Sequence, residues 1–182
     1  MSSTPGEVHA SIVTFSTNAH IRIHCDEHKS KDTLEDAILD LQYIDKMEFT
    51  NLRQGLAKGR QALNTRGCGD NNAKQIMVVI SDGNANRGDG GTGGVLEEAR
   101  NIRESGIEII ALGVGKKINV RVLNNMTANY SLVVESNRLN KQVFEKATQI
   151  LSNEKCKISE GNEIHHILVL NNKQLLLLLL LI

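Results

Sequence analysis

The sequence predicts an α/β domain of three layers, with a mostly parallel central sheet, an antiparallel edge hairpin and helices on both faces. Three observations predict it. Ile76-Met77-Val78-Val79-Ile80 is an apolar run that ends abruptly in Ser81-Asp82-Gly83, and a strand buried on both faces reads as a continuous run rather than as an alternation. Ile107–Val114 repeats the pattern and closes on Gly113 and Gly115. Strand-like and helix-like patterns alternate after an opening hairpin, as parallel strands joined by crossover helices require.

The hairpin comes first. Val8–Phe15 and Ile21–Cys25 read as two strands around the turn-forming Ser16-Thr17-Asn18-Ala19. Asp32 or Thr33 caps a helix that carries Leu34, Ala37, Ile38 and Leu41 at helical spacing. Asn51 caps the next, with Leu52, Leu56 and Leu63 on one face. After the Ile76–Ile80 strand, Thr92 precedes a helix with Val95, Leu96, Ala99 and Ile102, stopped by Gly106. Val120–Tyr130 is a weak helix or a loop, and Leu132–Val134 a short strand. Leu139, Val143, Ala147, Ile150 and Leu151 line a last amphipathic helix that runs to about Cys156. No internal repeat is present.

Composition excludes several function classes. The 182 residues carry 21 acidic and 21 basic side chains, so no global field draws in nucleic acid or an anionic membrane. Aromatics are 3% with no Trp, which leaves few stacking platforms for single strands or sugars. Met1 leads through a short polar segment into Val8, without the charged-then-apolar pattern of a signal peptide. Cys25, Cys68 and Cys156 are scattered and odd in number. They form no zinc pattern, and Cys25 reads as an ordinary thiol. Cys156, just past the last helical pattern, is placed to staple a distant segment, and the pairing of the three stays open.

Residues 157–182 depart from the rest. Ile164–Leu170 is apolar around two His, Asn171-Asn172-Lys173-Gln174 interrupts it, and Leu175–Leu181 is unbroken Leu before Ile182. A membrane-spanning helix needs roughly 20 apolar residues, so a membrane anchor is not expected. The stretch reads as an irregular tail on a domain that covers 1–156.

Four pieces, in order, resemble the von Willebrand factor type A domain, also called the integrin I-like domain. They are Ser11-Ile12-Val13-Thr14-Phe15-Ser16, Thr50-Asn51-Leu52-Arg53-Gln54-Gly55-Leu56, Ile76–Gly83, and Ile109-Ile110-Ala111-Leu112-Gly113-Val114-Gly115. Members of that family build a metal-ion-dependent adhesion site from three loops. An Asp-x-Ser-x-Ser motif follows the first strand, a threonine comes from a second loop, and an aspartate follows the fourth strand. The ion keeps an open position for an acidic residue of the partner, which suits the octahedral oxygen preference of Mg²⁺. The resemblance implies that Thr50 is the threonine ligand and Asp82 the aspartate.

The sequence contains no Asp-x-Ser-x-Ser. The family's first strand and helix, which would precede Val8, are missing. In the family that strand lies between the second and the fourth, so a central slot is expected to stand unfilled, at a few kcal/mol for each buried unpaired backbone group. The chain is therefore read as N-terminally truncated, with a diverged domain that dispenses with the strand as the alternative. Its metal site is expected to be degenerate, with Mg²⁺ or Mn²⁺ held weakly or not at all.

Other motifs carry weaker signals. Arg87-Gly88-Asp89 is an adhesion-type tripeptide in a loop. Gly88-Asp89-Gly90-Gly91-Thr92-Gly93 matches the dinucleotide fingerprint, but the loop starts late after its strand, and the next strand ends without the required acid. His20, His24 and His28 fall four apart in a region that reads as strand and turn. Asn125-Met126-Thr127 and Asn129-Tyr130-Ser131 are glycosylation acceptors if the chain is secreted. No residues are assigned to catalysis. The expectation is a protein-binding module of adhesion or extracellular-matrix type, not an enzyme, whose partner is a matrix or cell-surface protein and whose parent is extracellular. The alternatives are an intracellular scaffold within a multiprotein complex and a nucleotide-binding enzyme using Gly88–Gly93.

Overall fold

A computed structural model describes residues 8–27, 31–41, 49–65, 74–86, 90–129, 133–136, 149 and 164–171. The chain opens with the expected hairpin, β1 (Val8–Phe15) and β2 (Ala19–Ile23). The second strand starts two residues earlier than its apolar pattern suggests. The Ser16 N–H donates to the Asn18 carbonyl at 3.0 Å, which closes the turn over three residues and sets Ala19 opposite Phe15. Helix α1 (Lys31–Leu39) follows. Next comes α2 (Leu52–Leu63), capped by Asn51 as its sequence requires.

Strand β3 (Lys74–Ser81) leads to α3 (Gly91–Glu104). The cap of α3 is Gly90 rather than a residue next to Thr92, because the Gly-rich run takes the helix start. The Gly94 N–H donates to the Gly90 carbonyl at 3.0 Å, so Thr92 lies exposed inside the first turn. Strand β4 (Glu108–Val114) runs through Gly113. The segment read as weak helix or loop is α4 (Val120–Thr127), capped by Asn119. The Arg103 guanidinium donates to the Asn125 and Met126 carbonyls at its C-terminus, where a cation complements the helix dipole. Strand β5 (Val133–Ser136) and strand β6 (Ile164–Asn171) complete the described elements. Apart from residue 149, the final helix expected over 139–156 lies outside the described residues.

The six strands form one sheet in the order β2-β1-β6-β3-β4-β5. Only β2 is antiparallel; β1, β6, β3, β4 and β5 run parallel to one another. Two expectations are corrected here. The slot between β1 and β3 is filled, and the tail is not irregular over 164–171. Strand β6 pairs with β1 from Val8↔Ile164 to Phe15↔Asn171, and with β3 from Lys74↔Ile164 to Ile80↔Leu170. The backbone groups expected to stand unpaired therefore have a ladder on each side.

Both faces of β1, β3 and β4 are buried. Val13, Phe15, Met77, Val79, Ile109 and Ala111 pack against Leu52 and Leu56 of α2, Val95 and Ile102 of α3, and Leu123 and Met126 of α4. The alternate residues Ile12, Ile76, Val78, Ile80, Ile110 and Leu112 are buried too, which explains the continuous apolar runs. Helix α2 lies on β1, β2 and β6 and against α3. Its Gly55 meets the Phe15 ring, where an added Cβ would sit 2.8 Å from ring carbons. Between α2 and α3, Arg60 Nε donates to Glu98 Oε1 at 2.8 Å, with Glu98 nearly buried.

Cys25 is buried and disulfide-bonded, which corrects its reading as an ordinary thiol. The bond depends on which segments the fold brings together, and spacing along the chain carries no trace of that. Cys68 and Cys156 lie outside the described residues. Among the described residues no helix is long and apolar enough to cross a membrane.

Candidate functional site

The parallel strands end on one side of the sheet, β1 at Phe15, β6 at Asn171, β3 at Ser81 and β4 at Val114. In open α/β sheets this carboxyl edge is where ligands gather. Among the described residues, four loop segments line it, formed by residues 16–18, 49–51, 82–86 and 115–119. Helices α2 and α4 also begin there. The Asn51 Oδ1 accepts the Gln54 N–H at 3.2 Å, and the Asn119 Oδ1 accepts the Val122 N–H at 3.3 Å. Each amide thus satisfies one of the donors that a helix start leaves without an intrahelical partner.

Asp82 is half-buried and shapes the loop after β3. Its Oδ1 accepts the Asn84 N–H at 3.0 Å, an Asx turn, and its carbonyl accepts the Asn119 N–H at 2.7 Å. Gly83 has φ +75°, and its N–H donates to Ser81 Oγ at 3.2 Å. An added Cβ there would lie 2.9 Å from the Asn119 carbonyl oxygen. Conformation and space both require glycine after the aspartate.

Thr50 is buried, and its N–H donates to Asn86 Oδ1 at 2.5 Å. The two residues assigned by resemblance, Thr50 and Asp82, therefore sit on loops that are directly bonded to each other. Further bonds extend the connection. The Asn51 N–H donates to the Ser16 carbonyl at 2.7 Å and Asn51 Nδ2 to the Thr17 carbonyl at 3.3 Å. Gln54 Oε1 accepts the Ala19 N–H at 2.9 Å. On the other side, Asn84 Nδ2 donates to the Lys117 carbonyl at 2.6 Å.

Sequence reasoning found Asn51 as a cap but missed Asn84, Asn86 and Asn119. The available signal is their type and place: each is a short amide just past a strand or just before a helix, where such side chains bond local backbone. Strand β6 ends at Asn171.

The other singled-out residues are not gathered at this edge. Arg87, Gly88 and Asp89 lie outside the described residues, as does His28. His20 is exposed on the edge strand β2, and His24 follows it. Among the described residues, no group of three or more His, Cys, Asp or Glu is placed to hold a metal. Asn125 is exposed on α4, whereas Thr127 of the same triplet is buried, with its hydroxyl donating toward the Asn124 and Asn129 carbonyls. Asn129 is exposed, and the rest of its triplet lies outside the described residues.

This fold and these loops define a class. The family model of the von Willebrand factor type A domain matches residues 1–153, and the chain belongs to that family. Strand β6 lies beyond the matched stretch. Among solved structures, the chain is similar to proximal thread matrix protein 1 from the mussel byssus, with 20% identity and a TM-score of 0.67 over 79% of this chain and 35% of that one. The mussel protein is also known with zinc in its metal-ion-dependent adhesion site. The manganese-loaded Plasmodium vivax TRAP protein matches at 15% identity with a TM-score of 0.63, over 82% of this chain and 59% of that one. The pilus adhesin SpaC from Lactobacillus rhamnosus GG matches at 16% identity and 0.60, over 82% of this chain and 25% of that one. The chain thus spans about a third of the mussel protein's length. No curated protein matches the sequence.

Proposed function

We propose that this chain is a protein-binding module of adhesion or extracellular-matrix type that meets its partner at the carboxyl edge of the sheet. The observation that carries the reading is the joined rim of loops around Thr50 and Asp82, at the edge where the family resemblance places its contact surface. The similar structures support it, since one is named a thread matrix protein and another a pilus adhesin. The disulfide at Cys25 supports an oxidising, extracellular setting.

Among the described residues the donor set fits a divalent ion poorly. Asp82 is the one carboxylate among the described residues of the four loops, and its Oδ1 already accepts the Asn84 N–H. By the resemblance, Asp-x-Ser-x-Ser should follow the strand between the second and the fourth. That place in the sheet belongs to β6. The sequence from Ile164 to Ile182 contains no such motif. A hard cation that wants six oxygens is poorly served by this set. We therefore read the metal site as degenerate and partner binding as independent of the ion.

Binding of the purified chain to immobilised collagens, fibronectin and laminin, measured in chelator, tests the proposal. Asn18→Arg and Lys116→Glu change exposed side chains of the rim. Loss of binding in both variants, with unchanged melting, supports the carboxyl edge as the contact surface. Binding that ignores both substitutions refutes the edge, and absence of binding to any matrix protein refutes the adhesion reading.

A further inference from the structure

We infer that side-chain amides take over the loop cross-linking that the resemblance assigns to a divalent cation, so that the rim holds its shape without metal. The inference rests on the reading of the carboxyl edge as the contact surface and adds how that surface is kept in order.

The loops form a continuous chain of direct bonds. Asn51 joins 49–51 to 16–18, through its own N–H to Ser16 and its Nδ2 to Thr17. Asn86 joins 82–86 to 49–51 by accepting the Thr50 N–H. Asn84 joins 82–86 to 115–119 by donating to the Lys117 carbonyl, beside the bond from the Asn119 N–H to the Asp82 carbonyl. An ion would join such loops by collecting their oxygens. Here neutral side-chain amides do so with directional bonds, and each of their three bonds spans a different pair of loops. A neutral amide network needs no cation to offset repulsion between carboxylates, and it is insensitive to chelator.

The two asparagines on the middle loop act with opposite polarity. Asn86 accepts, so an aspartate can replace it. Asn84 donates through Nδ2, which an aspartate lacks. A merely structural loop position would not separate the two substitutions in this way. Both side chains belong to exposed residues, so the sheet should fold in every variant, and its own amides serve as the internal control.

Hydrogen exchange of the full chain, followed by mass spectrometry in Mg²⁺ and in chelator, tests the inference. Expected are the same exchange in the rim and the same melting temperature in both conditions. In chelator, Asn84→Asp should speed exchange over 82–86 and 115–119 about five-fold, the loss of roughly one hydrogen bond. Asn86→Ala should do the same over 49–51 and 82–86, while Asn86→Asp should exchange like the wild type. Faster rim exchange or a lower melting temperature on chelation would overturn the inference. So would Asn84→Asp without effect, or Asn86→Asp as damaging as Asn86→Ala. No partner is present in this experiment, so its failure is separate from failure of the matrix-binding test.

Discussion

The hairpin half of the sheet and its parallel half are assembled in different ways. Strands β1 and β2 are consecutive, antiparallel and closed by a three-residue turn. Strands β3, β4 and β5 are parallel, and α3 and α4 fall between them in the chain. No described strand of one half pairs directly with a strand of the other; β6 alone pairs with both. Helix α2 makes a second joint, resting on β1 and β2 on one side and on α3 on the other. Each half follows from local sequence, whereas the main joint between them comes from a segment far along the chain.

That difference can be broken most directly in β6. Leu168 pairs with Ile12 on one side and Val78 on the other. A proline there removes a ladder bond from a strand flanked on both sides and leaves an acceptor unpaired, at about 1–3 kcal/mol before any steric strain. Leu168→Pro should abolish the cooperative thermal transition, as Val78→Pro should in β3. A variant that melts like the wild type would show that β6 does not join the halves.

The next largest effect is expected at Cys25, just beyond the hairpin. Cys25→Ser, or reduction of the intact chain, should lower stability by about 2–4 kcal/mol, read from urea titration. Peptide mapping without reductant will then show whether Cys68 or Cys156 is the partner. A reduced chain as stable as the oxidised one would place the bond outside the features that hold the halves together.

The α2 joint gives smaller effects. Gly55→Ala drives a Cβ against the buried Phe15 ring. The crowding costs about 1–3 kcal/mol, and the better helix propensity of Ala returns up to about 1 kcal/mol. A net loss of about 1–2 kcal/mol is expected, and a gain would show that α2 can lift from β1 freely. Smallest is Arg60→Ala, which leaves the nearly buried Glu98 carboxylate without the guanidinium. With Arg60 partly exposed, about 1 kcal/mol is expected. Glu98→Gln should lose less, because the amide oxygen still accepts.

Much of the fold was legible because its causes are local. The apolar runs of β3 and β4 record burial on both faces, and Asn51 before Leu52 records a helix start. The hairpin was readable as well, although the Ser16–Asn18 bond that sets its length was not. Thr92 misled because hydroxyl side chains favour caps, and a glycine-rich run can start a helix ahead of them. The candidate site was half legible. Thr50 and Asp82 stood out by resemblance, but the asparagines that tie their loops together are local polar residues until the fold sets them side by side.

The sequence by itself determined the hairpin, α2, α3, β3 and β4, the α/β class, the buried faces of β3 and β4, and the acidic turn at Asp82-Gly83. These follow from side-chain period, capping and turn chemistry, which act over a few residues. Only the tertiary structure decided that Ile164–Asn171 lies between β1 and β3, that Cys25 is bonded, and that Asn84 and Asn86 bridge three loops. The reason is that a strand's place in a sheet, a disulfide partner and a bond between loops are set by backbone and side-chain groups far apart in the chain. Their energies appear only after the intervening residues have folded, and no local pattern encodes them.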